Sequence, residues 1–190
     1  MNNIIKSVIE TSKYVFERKL VSGKAGNVSA RFKNEDMDVI AITPTLKSLN
    51  RLNESDIVLV DINGKNLTKG KPSSEVFMHL AIYKSRNDVD GIVHTHSPYA
   101  TGFSFSNEKI KRLEGFGAIK TEYLPELKYE KPGSSDLAHG AAEKLGQEDV
   151  LVLKNHGIIA IGETVHEAGD LAEFVEEIAK TQYITKILNK

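Results

Sequence analysis

The chain has 190 residues, 40% of them hydrophobic, which is enough to bury a core and fits one domain spanning residues 1–190 better than two. Lysine and arginine number 25 against 26 aspartates and glutamates, and a net charge of -1 gives no basic field that would attract nucleic acid or an anionic membrane. The sequence has no cysteine, which excludes disulfides, thiolate metal sites and a cysteine nucleophile. Any metal ion must therefore be held by nitrogen and oxygen ligands.

Apolar runs of the kind that mark secretion or a membrane span are not expected in this sequence. The N-terminal residues carry no uninterrupted apolar run of the secretory type, and no segment approaches the roughly 20 apolar residues of a membrane span. We therefore expect a cytoplasmic protein with neither a membrane nor a nucleic acid as its partner. Small-molecule chemistry is the function class that these exclusions favour.

Helical and strand patterns alternate along the chain without a linker or an internal repeat that would mark a second domain. Apolar residues at helical spacing, with capping residues before them, predict the helices. The predicted helices cover residues 3–19, 74–86, 134–146 and 164 to near the end. Short apolar runs bounded by turn residues predict the strands. The predicted strands cover residues 39–42, 57–61, 91–96, 150–153 and 158–161.

Two turn signals bear on how the strands pair. Residues 62–65 read Ile-Asn-Gly-Lys, a hairpin signal, and residues 155–157 read Asn-His-Gly between two predicted strands. Such turns, mixed with helices between strands, predict an α/β fold with a central, largely antiparallel sheet and helices on its faces. The pattern does not fix the order of the strands.

Three histidines are the most informative side chains in the sequence. His94 and His96 end an apolar strand, and residues i and i+2 of a strand point to the same face, so both imidazoles can reach one ion. His156, in the Asn-His-Gly turn, would complete a facial set. Three neutral imidazoles hold zinc in many catalytic sites and leave a position open for water or substrate. The alternative is that each is an ordinary surface or core histidine.

Glu75 follows two serines at the start of a predicted helix. We expect Ser73 or Ser74 to be the N-cap and Glu75 to lie in the first turn. Free N–H groups and serine hydroxyls at such a turn can bind a phosphate, and a carboxylate facing the histidines can act as an acid or base. The alternative is simple capping, because the helix dipole favours first-turn glutamates. His79, one turn on, is either a hydrogen-bond partner of Glu75 or a core residue.

Two further segments have the composition of anion-binding loops. Residues 23–29 read Gly-Lys-Ala-Gly-Asn-Val-Ser and form a predicted bend between the first helix and the first strand. Small residues there let backbone N–H groups approach a phosphate, and Lys24 can add charge. Residues 43–45, Thr-Pro-Thr, either contribute hydroxyls to the same anion or shape a turn. The P-loop order of glycines and lysine is absent.

Five ordered motifs, spread over nearly the whole chain, resemble those of the class II aldolase/adducin family of zinc-dependent sugar-phosphate lyases and epimerases. They lie at residues 26–31 (Gly-Asn-Val-Ser-Ala-Arg), 42–45 (Ile-Thr-Pro-Thr), 71–75 (Lys-Pro-Ser-Ser-Glu), 93–101 (Val-His-Thr-His-Ser-Pro-Tyr-Ala-Thr) and 155–157 (Asn-His-Gly). The resemblance implies an α/β/α sandwich around a mostly antiparallel sheet. It also implies a C4 homotetramer with active sites at the subunit interfaces.

Carried over residue by residue, the resemblance implies a metal, an acid/base group and a phosphate site. It assigns one zinc ion per subunit to His94, His96 and His156, and the acid/base role to Glu75. It places the substrate phosphate among Gly26, Asn27, Thr45, Ser73 and Ser74.

The activity that the resemblance implies is cleavage of a ketose 1-phosphate, of the L-fuculose 1-phosphate type, to dihydroxyacetone phosphate and an aldehyde. Zinc would stabilise the enediolate that forms as the C3–C4 bond breaks, and Glu75 would protonate its C3. Alternatives in the family are an L-ribulose-5-phosphate 4-epimerase and a methylthioribulose-1-phosphate dehydratase. A non-enzymatic module of the adducin type is disfavoured, because all three histidines and Glu75 are present.

The chain departs from the aldolase pattern in several places. Leu46 follows Thr-Pro-Thr where a glycine is common, and Lys24 stands where a small hydroxyl residue is often found. Residues 114–118 (Glu-Gly-Phe-Gly-Ala) lack the family's central tyrosine, and we expect the tyrosine-bearing C-terminal extension to be missing after Lys190. The aldehyde-side acid is therefore unassigned. The candidates that remain are Tyr123, Tyr129 and Tyr183.

Other titratable residues are expected to be solvent-facing or structural. His139 and His166 lie in helix patterns among acidic and small residues, and the acidic run at residues 173–177 is expected to be a solvated helix face rather than a second site.

Overall fold

The computed structural model describes residues 2–35, 37–113 and 121–189. Within these ranges the chain forms five α-helices and seven strands. In chain order they are α1 (Asn2–Glu17), β1 (Asn27–Asn34), β2 (Met37–Ile42), β3 (Val58–Asp61), α2 (Val76–Ser85), β4 (Gly91–Thr95), α3 (Pro98–Phe105), β5 (Glu126–Leu127), α4 (Ser135–Leu145), β6 (Val150–Leu153), β7 (Gly157–Gly162) and α5 (Val165–Leu188).

The strands form one sheet in the order β3-β2-β1-β4-β7-β6-β5. Every neighbouring pair is antiparallel except β5 and β6, which are parallel. The predicted, mostly antiparallel sheet is therefore confirmed. Strands β4 and β7 are neighbours near its centre, so His94 in β4 and His96 just after it lie beside the turn that carries His156.

Helices cover both faces of the sheet, which confirms the α/β/α sandwich. On one face, Val28 and Val93 pack in a core with residues of α5 such as Val175. On the other face, Ile92 packs in a second core with residues of α2 and α4 such as Met78. Because both faces of the sheet are buried, β7 carries apolar side chains on both sides, such as Ile158 in the first core and Ile159 in the second. No helix in the described ranges is long and apolar enough to cross a membrane.

The starts of the later helices follow their predicted capping residues. The Ser134 side chain accepts from the N–H of Leu137 at the start of α4. Thr164 and Glu167 form a capping box at the start of α5. The prediction for α2 is wrong, because the Ser73 hydroxyl accepts from the N–H of Glu75, which is itself the N-cap and precedes the helix. The Glu75 side chain makes no capping hydrogen bond to the helix and instead accepts one from Asn27 of β1.

Three elements of the structure are not predicted by the sequence patterns: β1, α3 and β5. Part of the predicted bend at 23–29 belongs to β1, which starts at Asn27. Residues 62–65 do turn, since the N–H of Gly64 donates to Asp61, but the returning chain pairs only through a bridge between Val60 and Asn66. The hairpin prediction therefore holds for the turn alone.

The acidic run at residues 173–177 is not simply a solvated face, so that prediction is wrong in part. The Glu173 carboxylate accepts hydrogen bonds from Tyr14 and Arg18 of the α1 region. The Glu176 carboxylate accepts from backbone N–H groups at the start of α3. These two carboxylates fasten α5 to its neighbouring helices.

Candidate active site

The three histidines singled out in the sequence lie together at the centre of the sheet. The ring centres of His94, His96 and His156 are 4.7 to 4.9 Å apart. One candidate ligand nitrogen from each ring lies within 4.8 Å of the other two. The pairing of β4 with β7 creates this arrangement, because it sets the turn before β7 beside the end of β4.

The Asn-His-Gly turn is shaped by the residues on either side of His156. Asn155 has a φ of 56°, a left-handed conformation that asparagine tolerates better than most residues. A Cβ at Gly157 would lie 2.2 Å from the carbonyl oxygen of Thr95 and 3.1 Å from the ring of His96. The glycine therefore allows β7 to approach β4 closely enough to join the third histidine to the other two.

The imidazoles are arranged as neutral ligands. The Nδ1 of His94 lies 2.8 Å from the carbonyl oxygen of Ile158, which can only accept, so Nδ1 carries the proton and Nε2 carries a lone pair. Nε2 of His94 is 2.9 Å from Nε2 of His96. Burial lowers the pKa of both histidines to about 3, and burial also lowers the pKa of His156. All three are neutral at pH 7, as metal binding requires.

Glu75 faces this cluster from the start of α2. Its Oε2 lies 3.3 Å from Nε2 of His94, and its Oε1 lies 3.4 Å from Nε2 of His156. The residue is 7% exposed, and Oε1 has no hydrogen-bond partner within the described part of the chain. Glu75 therefore faces the histidines, as an acid or base at this site must.

The donor set fits a divalent cation. Lone pairs of neutral imidazoles and the oxygens of a carboxylate converge in a buried space, where nitrogen and oxygen ligands of this kind suit zinc and its neighbours in the first transition series. The three histidines form a possible metal site, and the unpartnered Oε1 of Glu75 adds an electron-rich atom at its edge.

The segments proposed to bind phosphate meet at one edge of this site. The N–H of Ser73 donates to the carbonyl of Thr43, and the N–H of Thr45 donates to the carbonyl of Lys71, so the two loops run side by side. Ser73 is buried, Thr45 is half-buried and Ser74 is exposed. The Ser74 hydroxyl is thus accessible to solvent beside the loop that holds Thr45.

Gly26 and Asn27 join the same edge through β1. Gly26 has a φ of 77°, and a Cβ on it would lie 2.9 Å from the carbonyl oxygen of His94. Asn27 is the direct partner of His94 in the β1–β4 register. The β1–β4 pairing therefore brings Gly26 and Asn27 beside His94, although the sequence separates them by more than 60 positions.

The structure describes the two positions at which the chain departs from the family pattern near the phosphate site, Leu46 and Lys24. Leu46 has a φ of 60°, so it holds the left-handed conformation that favours glycine, and its side chain is 73% exposed. The backbone shape at this point is therefore one that a glycine would adopt more readily. Lys24 is exposed, and its predicted contribution to phosphate binding stays a prediction.

A buried polar seam behind Glu75 was not foreseen. Asn27 donates to Oε2 of Glu75 at 2.9 Å, and its Oδ1 lies 2.5 Å from Nε2 of His79. Nδ1 of His79 is 2.7 Å from the Ser29 hydroxyl, which lies 2.8 Å from the Tyr83 hydroxyl. The signal was present as polar residues at alternate positions of one strand and at four-residue spacing after Glu75.

His79 is therefore a fully buried residue that reaches Glu75 through Asn27 rather than directly. Burial lowers the pKa of His79 to about 3, which keeps it neutral at pH 7. Burial also raises the pKa of Tyr83, so its hydroxyl keeps its proton.

The structure does not assign an aldehyde-side acid. The three candidate tyrosines are exposed surface residues of the chain, and residues 114–118 lie outside the described ranges. His139 is exposed as expected, and so is His166, whose ring contacts the Thr11 hydroxyl.

Known proteins are similar to this chain in sequence and in fold. A family profile described as Class II Aldolase and Adducin N-terminal domain matches residues 6–183. An L-fuculose phosphate aldolase from Methanococcus maripaludis is 40% identical over 176 residues, which cover 93% of this chain and 94% of that protein. A 3-oxo-tetronate 4-phosphate decarboxylase from Haemophilus influenzae is 31% identical, over 91% of this chain and 83% of that protein. The solved structure of an L-fuculose 1-phosphate aldolase, 32% identical, superposes with a TM-score of 0.92 and covers 100% of this chain and 89% of that chain.

Proposed function

The chain belongs to the class II aldolase and adducin family, and from that premise we propose that it is a zinc-dependent aldehyde-lyase. Its proposed reaction is cleavage of a ketose 1-phosphate, of the L-fuculose 1-phosphate type, to dihydroxyacetone phosphate and an aldehyde. The observation that carries the proposal is the position of the Glu75 carboxylate, 3.3 and 3.4 Å from two of three clustered, neutral imidazoles. This arrangement combines ligands for a Lewis acid with an adjacent proton carrier.

Three imidazoles would hold the metal in this proposal. His94, His96 and His156 present their nitrogens to one point, and the bond from His94 to Ile158 keeps its Nε2 available. When bound, the metal supplies Lewis-acid stabilisation of the negative charge that develops on the substrate oxygens as the C3–C4 bond breaks. Zinc is the preferred ion because three neutral imidazoles suit it.

Glu75 would carry the proton. After the aldehyde leaves, its carboxyl group delivers a proton to C3 of the three-carbon fragment, which is then released as dihydroxyacetone phosphate. In the synthetic direction the carboxylate removes that proton. Burial supports this role, because a shielded carboxylate next to the reacting carbon does not have to compete with bulk water.

The phosphate group would be held at the neighbouring edge. The backbone around Gly26, the second N–H of the Asn27 amide, and the hydroxyls of Thr45, Ser73 and Ser74 are the groups proposed to bind it. Donors without a full positive charge suit this end of the site, since backbone and hydroxyl groups can surround a phosphate closely. The substrate would then extend from this edge towards the histidines.

We also propose that residues 1–190 act as one domain, in the cytoplasm, within a C4 homotetramer. An assembly would cover large apolar side chains that a single chain leaves exposed. Phe77 is 54% exposed and Phe105 is 64% exposed. Light scattering on a size-exclusion column would measure the mass directly, and a monomer at micromolar concentration would contradict this part of the proposal.

An assay of product release tests the reaction. Zinc-loaded protein is supplied with a small panel of ketose 1-phosphates, and dihydroxyacetone phosphate is measured while the metal content of the same sample is recorded. The proposal predicts release that a chelator abolishes and zinc restores. L-Ribulose 5-phosphate and a 3-oxo acid phosphate are supplied in parallel. Isomerisation of the 5-phosphate would indicate the 4-epimerase, and loss of water from methylthioribulose 1-phosphate the dehydratase. Loss of carbon dioxide from the acid phosphate would indicate a decarboxylase such as the Haemophilus influenzae relative.

A further inference from the structure

The polar seam behind Glu75 connects one face of β1 with one face of α2. Asn27 and Ser29 occupy alternate positions of the strand, while Glu75, His79 and Tyr83 follow at four-residue spacing along the helix side. All five residues are buried, with exposures of 7% for Glu75, 3% for Asn27, 1% for Tyr83 and 0% for Ser29 and His79. Four hydrogen bonds run through them from Tyr83 to Glu75.

The chemistry of each group sets the direction of these bonds. The Asn27 amide donates to the Glu75 carboxylate, so its oxygen faces His79 and can only accept. Nε2 of His79 must therefore carry the proton, and Nδ1 of a neutral ring must accept from the Ser29 hydroxyl. The Ser29 oxygen in turn accepts from Tyr83. In each of these four hydrogen bonds the donor therefore lies on the Tyr83 side and the acceptor on the Glu75 side.

We propose that Tyr83, Ser29 and His79 are positioning residues that act through Asn27 on the Glu75 carboxylate. The chain of hydrogen bonds holds Oε2 as the accepting oxygen and leaves Oε1 as the oxygen that carries the proton in the reaction. This inference rests on the proposed acid/base role of Glu75, since it assigns that role to one of the two carboxylate oxygens.

The surroundings of the two oxygens differ in the way this assignment requires. Oε2 accepts from Asn27 at 2.9 Å, whereas Oε1 has no hydrogen-bond partner in the described part of the chain. Rotation about the Cγ–Cδ bond of a glutamate exchanges the positions of its two oxygens. A fixed donor such as the Asn27 amide opposes that rotation. Buried networks whose members are all satisfied are rigid, and they orient the groups that bind ligands or metal ions.

The tautomer of His79 tests the direction of these hydrogen bonds and does not depend on any reaction. Nitrogen-15 spectra of the full-length, metal-free protein at pH 7 report which ring nitrogen is protonated. We expect His79 as the Nε2–H tautomer and His94, which donates from Nδ1, as the Nδ1–H tautomer. An Nδ1–H tautomer at His79 would reverse the chain and overturn the proposal.

Substitution of Ser29 tests its effect on turnover. In zinc-loaded protein, we expect Ser29→Ala to lower kcat about tenfold, as partners of active-site groups typically do, and to leave KM within about twofold. Ser12→Ala is the matched control, because Ser12 is also fully buried and, among the residues that the structure describes, its hydroxyl donates to the carbonyl of Val8 in α1 alone. Tyr83→Phe removes only the last hydroxyl and is the milder variant if Ser29→Ala folds poorly.

A double substitution separates positioning from general damage. If Ser29 acts through Glu75, adding Ser29→Ala to Glu75→Gln lowers the residual kcat no further. An equal loss in both backgrounds, or full activity in folded Ser29→Ala and Tyr83→Phe, would overturn the proposal. If wild-type protein cleaves none of the sugar phosphates, the proposed function fails, while the His79 tautomer still reports on the chain itself.

Discussion

Oε1 of Glu75 lies 3.4 Å from Nε2 of His156, and neither this oxygen nor Nδ1 of His156 has a hydrogen-bond partner among the described residues. Burying a polar atom without a partner costs about 1 to 3 kcal/mol. The fold accepts this cost at the point where carboxylate and imidazoles converge. Such unpaired groups are expected where a ligand, rather than the protein, supplies the missing interaction.

Replacement of Glu75 by glutamine separates metal binding from proton transfer. Glutamine keeps the shape of the side chain but cannot exchange a proton, so Glu75→Gln is expected to hold zinc and to lose turnover by about 10²- to 10⁴-fold. Metal analysis and initial rates on the same preparation check both halves. Full turnover by this variant would exclude Glu75 as the proton carrier.

The metal-free protein should lose stability in mild acid. His79 and His94 have pKa values lowered by burial from 6.5 to about 3. Below pH 6.5 the unfolded chain therefore takes up protons that the folded chain refuses until about pH 3, and stability falls over that window. Between pH 7 and pH 5 we expect a loss of about 2 kcal/mol for each of these two histidines. Urea unfolding of chelator-treated protein measures it, and equal stability at both pH values would contradict the burial argument.

A methyl group at Gly157 should disrupt the metal site. The added Cβ would meet the carbonyl oxygen of Thr95 at 2.2 Å, which forces β7 away from β4 and His156 away from His96. We expect Gly157→Ala to cost about 3 kcal/mol of stability and to weaken zinc binding. Gly102→Ala is the control, since a Cβ there meets no atom within 4 Å, and alanine in this helix should stabilise by up to about 1 kcal/mol. Similar stabilities for the two variants would show that the close approach is unimportant.

Glu176 should stabilise the helix that follows the His-x-His segment. Its carboxylate accepts from the N–H groups of Tyr99 and Ala100 at 2.9 Å, and so caps α3 from another helix. Glu176→Ala is expected to cost about 1 to 2 kcal/mol, as the loss of an N-cap does. Its neighbour Glu177 is exposed, and its Oε2 lies 3.9 Å from Nζ of Lys180, which is a weak surface ion pair. Glu177→Ala should therefore change the free energy of unfolding by less than about 0.5 kcal/mol. Thermal unfolding of the two variants compares them, and equal losses would argue against the cap.

The sequence predicted the apolar elements and the histidine cluster well, and it failed where polar residues form the core. Strand β1 was missed because its inward positions, Asn27, Ser29 and Arg31, look like loop residues until α2 supplies their partners. Helix α3 was missed although Pro98 occupies its first turn, a recognised start signal. Both failures lie beside the candidate site, where chemistry rather than burial sets the residue types.

The position of Glu75 illustrates the same limit. Helix periodicity put it inside the first turn, whereas the structure has it as the N-cap, with its side chain free to face His94. Only the tertiary pairing of β1 with β4 brings Asn27 opposite His94 and so explains where the carboxylate points. The residues next to Glu75 in the sequence do not predict that pairing.

Proton exchange at C3 of dihydroxyacetone phosphate tests the central claim most directly, because it requires neither the correct aldehyde nor the aldehyde-side acid. Zinc-loaded protein is incubated with dihydroxyacetone phosphate in deuterium oxide, and the loss of a C3 proton signal is followed by NMR. The account predicts exchange of one C3 proton that stops with a chelator and in Glu75→Gln. No exchange by wild-type protein that holds its metal and binds dihydroxyacetone phosphate, or undiminished exchange by Glu75→Gln, would contradict it.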